Sequence, residues 1–233
     1  MAVGERNNIE RAERILDAAS KLIVHYGYDK TTVSDIAREA GISKGAIYLH
    51  WPSKEALFEA LIFRESEKLV DDMLVRLEAD PEAGTIFSLY QHSIMATLAN
   101  PLIHALMTRD TRITGEFSRR WSASEHGSEG HFFRNEMVKQ LQSAGVIRQD
   151  LDSDVVSYIM ALIRYGFLTI GEIIPQEKAP PLDQVGKTLA LMLERALAPE
   201  GGANKEAGRE QLEHILTALR EMVRRYRAQG DQT

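Results

Sequence analysis

The stretch "TTVSDIAREAGISKGAIYLHWPSKEAL", residues 31–57, decides the fold of this chain. Thr32 is placed to cap a helix, its hydroxyl accepting a backbone N–H that the first turn leaves unpaired. Asp35 stands three residues on, where a capping box needs an acceptor. Ile36 faces inward, and Ala37 is small where a following helix must cross closely. Gly41 stands where the chain turns with positive φ. Ser43 caps the next helix, in which Ile47 packs back on Ala37. Two short helices, at 33–40 and 44–50, therefore cross steeply over a tight turn, which makes a helix-turn-helix.

In such a unit the second helix enters the major groove with its N-terminal residues at the base edges. Here those residues are Lys44, Gly45 and Ala46. Lys44 can donate to guanine O6 and N7, Gly45 permits close approach, and a thymine methyl fits against Ala46. Tyr48 and His50, further along, suit phosphate oxygens. "WPSK" opens another helix, with Ser53 as cap. Its free N–H groups with Lys54 beside them form an anion site. Plainer readings exist for each: Tyr48 as a core aromatic, His50 as a helix end, Lys44 as a solvated lysine. Tyr48 lies about 100° around its helix from Ile47, so the two cannot both point fully inward.

Residues 15–62, "ILDAASKLIVHYGYDKTTVSDIAREAGISKGAIYLHWPSKEALFEALI", resemble the N-terminal DNA-binding domain of the TetR/AcrR family of bacterial regulators. The matching elements are "AAxxLIxxxGY", "TTVxDIAxxAGISKGxIYxH" and "SKExL". Trp51 stands where Phe is more usual, and Leu49 where many relatives are aromatic. The resemblance implies DNA contacts by Thr32, Ser34, Lys44, Gly45, Ala46, Tyr48, His50 and Lys54. It also implies a homodimer on a palindromic double-stranded operator, with half-sites roughly 34–36 Å apart or a multiple of that. A C-terminal domain that binds a small-molecule effector is implied as well. On this basis the chain divides into a helix-turn-helix domain at 9–68 and an effector-binding and dimerisation domain at 69–233. Beyond residue 70 no family motif is matched.

The rest of the chain is helical in pattern, without strand alternation or Asn-Gly and Asp-Gly hairpin turns, so the fold class is all-α. A first helix spans about 9–26, with Ile15, Ala19, Leu22, Ile23 and Tyr26 on one face and Gly27 ending it. Others are expected at 54–77, 83–99, 101–109, within 115–144, at 153–174, at 183–198 and at 204–228. The segments 153–174 and 183–198 are strongly apolar and are expected to form a four-helix bundle across a two-fold axis.

The 233 residues carry a net charge of −6, which argues against indiscriminate nucleic-acid binding. Residues 1–54 hold eight Lys/Arg against seven Asp/Glu, and the remainder twenty against twenty-seven, so any DNA contact must be local. With no cysteine there are no disulfides or thiolate metal sites, which fits a cytoplasmic protein. The apolar run 157–174 contains Arg164 and Glu172, which disfavours a membrane span.

Bulky residues between about 61 and 167 suit an apolar effector cavity with a few polar groups. The candidates are Tyr90, His92, Met95, His104, Met107, Phe117, Trp121, Phe132, Phe133 and Phe167, any of which can instead be plain core. "HGSEGH" at 126–131 reads as a loop rather than a metal site, since no HExxH or i, i+4 histidine pair accompanies it. No cofactor or catalytic motif is found. The expected function is a transcriptional repressor released from its operator by a small molecule. The alternative is a helical ligand-binding or interaction module whose helix-turn-helix is only structural.

Overall fold

The computed structural model describes residues 3–123 and 135–230, and every regular element among them is helical. In chain order they are α1 (Val3–Tyr26), α2 (Val33–Ala40), α3 (Lys44–Tyr48), α4 (Lys54–Ala79), α5 (Ile86–Ala99), α6 (Pro101–Thr108), α7 (Thr111–Thr114) and α8 (Phe117–Ala123). There follow α9 (135–143), α10 (Ser153–Thr169), α11 (Leu182–Leu197) and α12 (Lys205–Gly230), with short 3-10 turns after α10. The chain divides into two compact units. The first comprises Met1–Lys68, Pro101–Trp121 and Glu221–Thr233; the second comprises Leu69–Asn100 and Ser122–Arg220. Contacts thus group 101–121 and the last residues with the N-terminal 68, where a sequence division at one point keeps them apart.

In the first unit, α1 buries Ile15, Leu16, Ala19 and Ile23 against Ile36, Ala37 and Ile47 of the two short helices and against Leu57, Phe58 and Leu61 of α4. Tyr26, expected on the inner face, is 56% exposed and meets His25 edge-on; Tyr28 takes the core position instead. The reason is Gly27. Its φ of +89° ends α1, and a Cβ there would lie 2.3 Å from the Arg112 carbonyl oxygen, so the chain reverses close against α7. Arg64, almost fully buried, is paired with Asp17 at 2.7 Å and Glu65 at 2.8 Å and donates to the Glu13 carbonyl, so its charge is compensated on all sides.

In the second unit, α5, α9, α10, α11 and the first turns of α12 enclose Ile86, Leu89, Tyr90, Leu141, Val156, Met160, Phe167, Ala190 and Leu212. Arg209 donates to the carbonyls of Leu77 and Asp80, which closes the C-terminal end of α4. Thr85 caps α5 by accepting from Ser88 N–H at 3.1 Å, and the Glu194 carboxylate accepts from Phe87 N–H at 3.0 Å in the same first turn. Between 115 and 144 the structure has α8, then residues outside the described set, then α9.

Candidate nucleic-acid interface

The helix-turn-helix is built by local hydrogen bonds that its sequence dictates. Thr32 accepts from Asp35 N–H at 3.1 Å, and Asp35 accepts from Thr32 N–H at 3.2 Å, a complete capping box at α2. Gly41 has φ +67°, and its N–H and that of Ile42 turn back to the last carbonyls of α2. Ser43 then accepts from Ala46 N–H at 3.2 Å and starts α3. Ile36, Ala37 and Ile47 lie in one buried cluster, which seats α3 on α2 and α1.

This arrangement turns a defined set of side chains to solvent. Thr32, Ser34, Lys44, Gly45 and Tyr48 are exposed, while Ala46 and His50 are half-buried. Lys44 Nζ lies 5.7 Å from the Tyr48 ring centroid, so the two share one edge of α3. Leu49, next along, is 84% exposed, an apolar group beside that edge. The His50 ring is 5.3 Å from Trp51, which is buried. Thr32's hydroxyl also donates to Asp35 at 2.6 Å, so its hydrogen is already engaged within the box. That bond and the Thr32 N–H hold the Asp35 carboxyl below the usual aspartate range. Lys21–Glu39 and Arg38–Asp35 ion pairs offset the acids of α2 near this surface.

Lys54 is placed differently from the open anion site that its sequence position suggests. Its Nζ donates to the Tyr28 carbonyl at 2.6 Å and lies 4.0 Å over the Tyr28 ring. Burial lowers its pKa, with Asp29 and Glu55 opposing. The neighbouring N–H groups are occupied too. Ser53 accepts from Ala56 N–H at 3.0 Å, and Glu55's own backbone N–H, ahead of Tyr28 and Arg120, lowers the Glu55 pKa. Burial pushes the Tyr28 hydroxyl well up, with Glu55 adding to the shift. Tyr28 thus organises the first turn of α4. The "GY" pair marks its position in the sequence, but the pairing with Lys54 depends on contacts between residues far apart in the chain.

Of the ten effector candidates, four lie in each unit and two lie outside the described residues. His104, Met107, Phe117 and Trp121 lie in the first unit, where Phe117 packs 4.4 Å from Phe58 and 5.6 Å from Trp121 as part of the core. Tyr90, His92, Met95 and Phe167 lie in the second unit; Met95 is exposed and Phe167 buried. His92 Nε2 is 2.8 Å from Asp80, whose carboxylate also accepts from Ser88 at 2.6 Å. Tyr90 is fully buried and its hydroxyl has no hydrogen-bond partner among the described residues, while burial pushes its pKa up to about 12. Arg164, on α10, donates to Ser93 one turn from Tyr90. Phe132 and Phe133, like His126 and His131, lie outside the described residues. No described helix is long and apolar enough to cross a membrane.

Comparison with known proteins agrees with this geometry. Residues 15–61, the span of α1 through the first turns of α4, match the family model described as bacterial regulatory proteins, tetR family. The HTH-type transcriptional repressor Rv1474c of Mycobacterium tuberculosis is 30% identical over 190 residues, covering 78% of this chain and 95% of that protein. Among solved structures, FadR of Bacillus subtilis, a transcriptional regulator in complex with stearoyl-CoA, aligns with a TM-score of 0.59 at 17% identity over 78% of this chain and 96% of its own. A TetR transcriptional regulator of Chloroflexus aurantiacus aligns with a TM-score of 0.58 at 22% identity over 83% and 98%. These two share the fold. With a capped helix-turn-helix at its N-terminus and a repressor matched along most of its length, the chain belongs to the tetR family of bacterial regulatory proteins.

Proposed function

We propose that the chain is a repressor that grips a palindromic operator as a homodimer and lets go when a small molecule binds. The observation that carries this is the exposed edge formed by Thr32, Ser34, Lys44, Gly45 and Tyr48, held by caps at both short helices. Lys44, Gly45 and Ala46 meet base edges, while Ser34, Tyr48 and His50 meet phosphates, and Thr32 joins them once a phosphate competes with the Asp35 carboxylate for its hydroxyl hydrogen. Lys54 serves the same surface once a phosphate competes with the Tyr28 carbonyl. DNA reading is assigned to residues 9–68, and effector binding and dimerisation to 69–233.

Dimerisation is supported by α10. Its inner face buries Val156, Met160 and Phe167, whereas Val155, Tyr158, Ile159, Leu162 and Tyr165 form an exposed apolar stripe at helical spacing. On α11, Leu191 and Met192 are exposed as well. An apolar stripe of this length is covered by its own copy across a two-fold axis. For the effector, the Tyr90 hydroxyl inside the second unit, without a hydrogen-bond partner among the described residues, offers a polar anchor among apolar walls. Preferential binding of the effector to a dimer state whose heads mismatch the half-sites supplies about 1–3 kcal/mol of coupling, a loss of about 5- to 150-fold in operator affinity.

Titration of duplex DNA at graded salt tests this. A dimer that neutralises about six to ten phosphates gives log affinity falling with log salt at a slope of about −5 to −9. A flat response favours the other reading, a helical ligand-binding module whose helix-turn-helix is scaffold.

A further inference from the structure

The last turns of α12 lie within the first unit, and their side chains are engaged there. Arg224 donates to Glu67 at 2.5 Å, and Arg227 donates to Glu67 at 3.3 Å and to Glu13. Between the two arginines, Tyr226 stacks on Phe63 with 5.7 Å between ring centroids and 21° between planes. From there the rings continue. Phe63 is 5.4 Å from Trp121, Trp121 5.6 Å from Phe117, Phe117 4.4 Å from Phe58, and Phe58 4.8 Å from Tyr28. Over the Tyr28 ring sits Lys54 Nζ, the first residue of the helix that follows α3.

A column of six aromatic rings therefore joins the C-terminal turns to the start of α4. Phe63, Trp121 and Tyr226 do not build the helix-turn-helix itself, whose interior is Ile36, Ala37 and Ile47 over α1. Rings packed at interior density do not move independently, so the position of the last one constrains the first. We propose that the C-terminal turns of α12 are a positioning element of the DNA-reading head. Arg224 and Arg227 hold Tyr226 on Phe63, the column fixes Tyr28 and Lys54, and the start of α4 holds α3 in its reading pose. Neither the two arginines nor Tyr226 is among the DNA contacts proposed above. The proposal rests on the DNA-binding reading above and adds to it a segment more than 150 residues away from the acids it clasps.

The test uses the full chain and its Tyr226→Ala and Tyr226→Phe variants. Each is titrated against the duplex that wild-type protein selects from a random-sequence pool, and against a scrambled duplex of the same composition. Loss of the Tyr226 ring should weaken the selected duplex by about 2- to 12-fold, the range of one aromatic pair, and leave the scrambled duplex unchanged. Tyr226→Phe, which keeps the ring, should bind both like wild type. The proposal is overturned if Tyr226→Ala holds the selected duplex as tightly as wild type. It is equally overturned if both duplexes weaken in the same proportion, since that marks a head merely loosened. Wild-type protein that selects no sequence would count against the DNA-binding reading itself, and this proposal would go with it.

Discussion

Lys44 and Tyr48 occupy one edge of α3, and under the proposed function they divide the work of recognition by their chemistry. An ammonium facing guanine O6 and N7 reads sequence, whereas a phenol facing phosphate does not. Lys44→Ala should therefore relax selection at one base pair per half-site and cost about 1–3 kcal/mol on the preferred sequence. Tyr48→Phe should weaken every duplex alike, by about 0.5–1.5 kcal/mol. Competition assays over a panel of single-base variants check both; equal losses on all sequences for Lys44→Ala would refute its base contact. Asp35 adds a pH dependence. Its folded pKa lies below the ordinary aspartate value, so its contribution is complete above about pH 4 and is lost as pH falls through the folded value. Asp35→Asn should flatten that acid limb of the stability curve measured by urea unfolding. These caps and exposures were legible in residues 31–50 because a cap is a bond between neighbours three positions apart. Lys54 was not, since its ammonium is held by a carbonyl 26 residues earlier.

At the scale of the element, two glycines separate the demands of a turn from those of packing. Gly41 has φ +67° with open space where a Cβ would go, so Gly41→Ala meets only the conformational penalty, about 1–2 kcal/mol. Gly27 has φ +89° and the Arg112 carbonyl 2.3 Å from a Cβ, so Gly27→Ala must also displace α7 and should cost about 3 kcal/mol or more. Urea midpoints decide it, and equal costs would show that the approach of α7 is not tight. The pattern of apolar residues gave the helices and the positions of α2, α4, α6 and α11 closely, because periodicity and Pro or Gly stops are local. It could not tell that Phe117 packs on Phe58 and Trp121 on Phe117. A bulky stripe has the same spacing as core or as cavity lining, and only the partner helix distinguishes them.

At the scale of the whole molecule, the net charge of −6 repels DNA in general, so affinity must come from two small heads acting together. That makes the dimer part of the binding site. Leu162 is 59% exposed at the middle of the α10 stripe. Leu162→Asp should yield a monomer by sedimentation, with helix content unchanged and the salt slope of DNA binding about halved. A dimer that survives this change places the two-fold contact elsewhere. The most direct measurement of the central claim, that α3 reads the major groove twice, is guanine N7 methylation interference on the selected duplex. The expected result is two symmetric blocks of interfering guanines with centres about 34–36 Å apart, or a multiple of that, reduced at one position per block in Lys44→Ala. A single unsymmetric block, or no interfering guanine at all, would contradict it.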